Sequence, residues 1–154
     1  MFRHITRDAR GWSDYTPYFA YIDSVKERWP PTLHAFASDV ARYELQGTKT
    51  LHDAWLEEVS CRNTYEEDSN VLLGSTLVLV LRQAFGGVIS LTYGGVSGWT
   101  FHGHPERWPD RAIDLLMHEF SMEAHGVYAH RIAFDRNVSL EILFRTFSVE
   151  DSPP

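Results

Sequence analysis

The chain of 154 residues contains a single cysteine, Cys61, so no intramolecular disulfide can staple it and the fold must stand on packing alone. Long apolar runs are also missing. The greasiest stretch, residues 71–81, is interrupted by Gly74, Ser75 and Thr76 and falls well short of the roughly 20 residues that a membrane helix needs. The first residues, Met1-Phe2-Arg3-His4-Ile5, have no apolar core of the secretory kind, so the expectation is a soluble cytoplasmic protein without a membrane association. Positive charge is scarce: 14 Lys+Arg stand against 21 Asp+Glu, a net −7 with no visible basic patch. Such a chain repels phosphate, which argues against a nucleic-acid binder.

Apolar and aromatic material is plentiful. Hydrophobic residues make up 44% and Phe, Trp and Tyr 14% of the chain, enough to offset chain entropy and to rule out disorder as the main state. The length suits a single domain. Residues 1–15 read as an irregular lead-in. Thr16-Pro17 then offers a hydroxyl cap with proline at the first helical position. Tyr18, Ile22, Val25 and Trp29 follow as one helical stripe. Pro30-Pro31 makes a corner. Leu33, Phe36, Ala37 and Val40 form a second stripe, and Gly47 closes a helical pair over 16–47.

Near residue 50 the apolar period changes from about 3.6 to 2. Trp55, Val59 and Cys61 open a strand. Residues 77–81 are apolar throughout, as in a central strand covered on both faces. Gly86-Gly87 and Gly94-Gly95 read as hairpin turns. Residues 115–123 fit strand or helix by propensity; the compact His125-Gly126 turn into residues 127–134 favours strand. Asp135-Arg136-Asn137 is another turn, residues 140–149 alternate as one strand, and 150–154 read as a solvated tail. The expected architecture is α+β, with the N-terminal helical pair packed on one antiparallel sheet, a meander of about seven short strands over 51–149.

Eight histidines make a metal site the first chemistry to weigh. His102 and His104 flank Gly103, and His118 and His130 lie on later strands; with a carboxylate they could hold zinc or iron, with Glu119 as a base. No recognised ligand spacing is present, and half-buried, hydrogen-bonded histidines are the plainer reading. His52-Asp53 sits at the helix-to-strand junction, where local hydrogen bonding explains it better than catalysis. Cys61 lies within an apolar/polar alternation, and Gly74-Ser75 lacks the setting of a nucleophile elbow. Glu57-Glu58 and Glu66-Glu67-Asp68 resemble solvated charge runs. Trp99, Phe101 and Trp108, beside His102 and His104, are candidate binding residues in a cleft or protein-binding patch, against the alternative that they form core.

Leu51-His52-Asp53-Ala54-Trp55-Leu56 resembles an element of a set of small bacterial domains without established activity. Further similar features are Leu91-Thr92-Tyr93-Gly94-Gly95-Val96, His130-Arg131-Ile132 and Leu140-Glu141-Ile142. The resemblance spans roughly residues 16–149 in outline. Some domains of this look accompany polymorphic toxins as immunity proteins. The resemblance thus implies a binding role and carries no catalytic assignment. The expected function is a non-enzymatic protein-interaction module with a protein partner, and exposed sheet edges make a homodimer a second expectation. A histidine-based metal-binding protein or metal-dependent hydrolase is the alternative.

Overall fold

The computed structural model describes residues 2–10, 12–103 and 112–152. Helix α1 (Thr16–Val25) is followed by a 3-10 turn, Lys26–Arg28, and by α2 (Pro31–Ala37). Tyr18, Ile22, Val25 and Trp29 are all buried, as their spacing requires. Two details differ from expectation. Thr16 is itself the first helical residue and Tyr15, without a side-chain capping bond, the N-cap, while the Thr16 amide donates to the Asp14 carboxylate just upstream at 2.9 Å. Beyond α2, the Asp39 carboxylate accepts the Ala41 amide at 3.2 Å and starts a new 3-10 turn, Val40–Arg42. That turn swings Val40 out of the second stripe, 53% exposed.

The strands in chain order are β1 (Thr6–Arg7), β2 (Ser13–Asp14), β3 (Trp55–Tyr65), β4 (Leu72–Arg82), β5 (Val88–Gly94), β6 (Gly98–His102), β7 (Leu115–Ala124), β8 (Val127–Phe134), β9 (Ser139–Phe144) and β10 (Thr146–Ser152). The α+β class stands, and residues 115–123 are strand. The single sheet of about seven strands does not. Two four-stranded sheets form instead, in the orders β10-β5-β4-β3 and β6-β9-β8-β7, beside the small β1-β2 pair. Every strand pairing among the described residues is antiparallel.

The division arises at one corner. The run 140–149 breaks at Arg145, whose amide donates to the Gly94 carbonyl at 2.9 Å. Opposite it, Gly95 adopts φ +60, and a Cβ on Gly94 would collide with the Thr146 side chain. The pair of strands therefore bends as a unit: β5 with β10 belongs to one sheet, and β6 with β9 to the other. Gly94-Gly95 is thus a sheet corner rather than a plain hairpin turn.

The two sheets share a core of Leu77, Leu79, Leu81, Ile89, Leu91, Leu140, Ile142 and Phe144, each at most 1% exposed. Tyr93 meets Phe144 at 5.1 Å between ring centroids, and Phe120 meets Phe147 at 5.5 Å. Helix α2 closes one side through Phe36, 5.9 Å from Phe120. In β4 only the odd-numbered leucines are fully buried, while Val78 and Val80 are half-buried, so this strand is covered on one face rather than two. Both termini are better anchored than a lead-in and a tail. Glu150, Asp151 and Ser152 pair with Ser90, Ile89 and Val88, and the buried Arg42 guanidinium donates to both Asp151 oxygens, at 3.1 and 2.6 Å. Among the described residues no helix is long and apolar enough to cross a membrane.

Candidate functional site

Strands β7 and β8 are buried on both faces, and alternation sends their polar side chains two ways. Inward, Tyr93, His130 and His118 form a hydrogen-bonded chain. Tyr93 Oη lies 2.6 Å from His130 Nδ1, and His130 Nε2 lies 3.1 Å from His118 Nδ1. Phe120 stacks on His130 at 3.8 Å and Tyr43 on His118 at 4.4 Å. Burial holds His118 down at about 3 and His130 well below the ordinary imidazole range, so both rings are neutral near pH 7. Burial likewise keeps the Tyr93 phenol protonated.

The network assigns the protons. Among the described residues the Tyr93 hydroxyl has no acceptor other than His130 Nδ1, so it donates there. His130 then carries its proton on Nε2 and donates to His118 Nδ1, which leaves the His118 proton on Nε2. That nitrogen faces the Arg42 backbone carbonyl, which favours a proton there, yet it falls outside hydrogen-bond geometry. The lone pairs of the His130 and His118 rings are consequently both occupied. Neither ring offers one to a metal ion or a substrate proton.

Outward, the same strands hold a charge cluster. Glu119, fully buried, accepts the backbone amides of Arg3, His4 and Ile5 at 2.6, 3.0 and 3.1 Å and so clamps the N-terminal segment to β7. Arg131 donates to Glu141 at 2.6 Å, Ser121 at 2.5 Å and Glu123 at 2.9 Å. Burial would raise Glu123, but Ser121 and Arg131 outweigh it and hold its carboxyl below the usual range. This constellation is closed on itself.

The residues singled out from the sequence are dispersed. Trp99, Phe101 and His102 share β6, but successive side chains on a strand point to opposite faces, so His102 is turned away from the two aromatics. Trp99 is 46% exposed at the sheet edge and Phe101 is half-buried. His102 lines a shallow cleft of about 140 Å³ with Phe2, Thr100, Arg131 and Glu141. His104 and Trp108 lie outside the described residues. His102 opens on the outer face of the second sheet and the His118–His130 pair is sealed within, so the expected ligand set is not brought together. Among the described residues no group of three or more His, Cys, Asp or Glu side chains is arranged to hold a metal ion. His52 Nδ1 lies 3.1 Å from Asp53 Oδ1 without hydrogen-bond geometry, and Asp53, at φ +60, donates its amide to the Leu115 carbonyl.

Two open features adjoin the strands. One is a groove of about 400 Å³ between the helical segment and β7, lined by Tyr15, Tyr43, Leu45, His52 and Met117 and flanked by Trp12. The other is the far end of the β3–β4 hairpin, which runs past the rest of its sheet. From Cys61 to Leu73 most residues are exposed on both faces of the ribbon. Tyr65, Val71, Leu72 and Leu73 are open to solvent, Leu73 by 64%, and Glu66, Glu67 and Asp68 form the turn between them. The sequence did carry a signal for this surface: residues 71–73 are consecutive apolar residues beside an acidic loop, where a half-buried strand would alternate.

No family model matches the chain, and no curated protein matches it. A similar solved structure is the crystal structure of an uncharacterized protein from Neisseria gonorrhoeae, 15% identical, covering 64% of this chain and 91% of that one with a TM-score of 0.39.

Proposed function

We propose that the protein is a non-enzymatic protein-interaction module, of the toxin-neutralising kind, that meets a basic partner with the end of its β3–β4 hairpin. The observation that carries this reading is the pairing of exposed Tyr65, Val71, Leu72 and Leu73 with three carboxylates in one projecting turn. An apolar patch of this sort normally marks an interaction site. Carboxylates at its rim and a net charge of −7 would steer a cationic partner towards it. The closed state of the buried histidines agrees with a role in which they act as structure.

Affinity purification from the native host tests the proposal, using the tagged wild-type chain and a Leu72→Asp/Leu73→Asp variant of unchanged fold. A basic protein should be retained by the wild type, more weakly as salt rises, and be absent with the variant. A wild type that returns alone, or equal retention by both, overturns the reading. For the toxin-neutralising role, co-expression with the product of a neighbouring reading frame should protect growth in the wild type and not in the variant. Protection by neither would leave no support for that role.

A further inference from the structure

Among the described residues β3 is an edge strand, and they occupy its edge only at its start. Trp55 bridges Asp114, and the Leu56 amide donates to the Ile113 carbonyl at 3.3 Å. From Glu58 onward, the side of β3 away from β4 pairs with no described strand. Glu58 and Arg62 sit on the outer face of this free stretch, and their partners across on β4 are the uncharged Val80 and Thr76. Neither forms an ion pair among the described residues. Charges on an edge strand ordinarily discourage pairing with another chain. Here their spacing does the opposite for one particular partner.

We infer that β3 pairs with β3 of a second copy in antiparallel register about a two-fold axis at Ser60, placing Glu58 of each copy opposite Arg62 of the other. An isologous contact uses the same patch on both chains, so it needs a segment that reads as its own complement. Residues 58–62 do: Glu and Arg are equidistant from the central Ser60, and Val59 falls opposite Cys61. Each directly opposed pair lies on one face, about 5 Å apart between Cβ atoms, where opposite charges attract. The pairing ends where Ile113 and Asp114 occupy the edge. It joins two four-stranded sheets into one of eight strands and leaves the two hairpin ends projecting in opposite directions. The contact stands apart from the partner-binding reading, because it uses the middle of β3 and not the end of the hairpin.

Sedimentation of the purified full chain over a range of concentrations tests it. The wild type should dimerise, less so in high salt. Glu58→Arg or Arg62→Glu replaces two attractions with two repulsions per dimer and should weaken it by about tenfold or more. The double variant Glu58→Arg/Arg62→Glu restores both pairs and should return to within about threefold of wild type. On mild oxidation, Ser60→Cys in a Cys61→Ser background should cross-link on the axis, and wild-type Cys61 should not. A monomer at all concentrations, a dimer indifferent to the single charge reversals, or a double variant no better than either single overturns the inference. Wild-type cross-linking through Cys61 would move the axis and overturn the register.

Discussion

Two hairpins of the same kind, β3–β4 and β7–β8, come to opposite ends of the burial range. Strands β7 and β8 lie between the other sheet on one face and the N-terminal segment on the other, so even Glu119, His118 and His130 are inaccessible. Among the described residues nothing covers the far half of β3–β4, and leucines there are open to solvent. Antiparallel pairing alone decides neither outcome. What differs is how polar groups are matched: each buried charge in the β7–β8 region has been given partners, whereas Glu58 and Arg62 on β3 have none among the described residues. A buried charge without partners would cost several kcal/mol and is not tolerated. An exposed one costs almost nothing and is free to serve binding. Polar groups in the β7–β8 core are thus bound up with one another, and the unpaired charges on the ribbon are the ones on which the proposed contacts rest.

The sharpest way to break this contrast is to remove a carboxylate from each region. Glu119→Ala deprives three backbone amides of their acceptor and the Arg131 guanidinium, 3.9 Å away, of a buried counter-charge, and should lower stability by about 3–5 kcal/mol in urea unfolding. Glu58→Ala should stay within about 0.5 kcal/mol of wild type. Equal effects would dissolve the distinction.

Acid offers the next largest effect, with a definite sign. Burial places the folded pKa values of His118 and His130 below the unfolded value of 6.5. Between those values the unfolded chain binds protons that the folded chain does not. Stability is therefore fully present above 6.5 and is lost as pH falls below it, by up to about 1.4 kcal/mol per pH unit for each ring. His4, lowered mainly by burial and partly restored by Glu119, adds in the same direction. Urea midpoints taken at pH 7.5 and 5.5 read the slope. A flat profile would mean that the rings are not sealed as described.

The helical pair was legible because one-sided burial of Tyr18, Ile22, Val25 and Trp29 leaves a 3.6-residue trace. The hairpin at His125-Gly126 and the turn at Asp135-Arg136-Asn137 were legible because positive φ selects such residues, and Gly126, Arg136 and Asn137 adopt it. The division into two sheets was only faintly legible. Within 140–149 the phase of the alternation slips, from even buried positions at Leu140, Ile142 and Phe144 to the odd Phe147, across the exposed pair Arg145-Thr146. A slip of one residue also fits a bulge within one strand, and Gly94 and Gly95 opposite it are commoner in plain turns. The candidate site fared worse, because eight histidines in a sequence carry no record of which face each will occupy. Two strands of one sheet, β6 and β8, in fact point His102 outward and His130 inward.

The chain's last strand sharpens the comparison at a smaller scale. Asp151 was expected in a solvated tail, yet it receives both terminal nitrogens of buried Arg42, while being 47% exposed itself. Asp151→Asn keeps the shape and removes the charge. Because water screens one side of the pair, the expected loss is about 1 kcal/mol, readable as a lowered urea midpoint with an unchanged slope against denaturant. An unaffected midpoint would return this segment to the status of a tail.

The smallest effect is the most telling for the ribbon. Leu72→Asp/Leu73→Asp puts two charges where apolar side chains already face water, so the folded chain loses little burial, and the unfolded chain gains no advantage from keeping leucine. Stability should move by less than about 0.5 kcal/mol, in contrast to the 2–5 kcal/mol expected for Leu79→Ala in the adjoining core. Unfolding curves of the two variants side by side would show it. A large loss in the first would mean that Leu72 and Leu73 are packed in the isolated chain, and the patch would then have no free surface to give a partner. A negligible loss leaves two costly apolar side chains in water for no benefit to folding, which is the condition under which an external contact accounts for their presence.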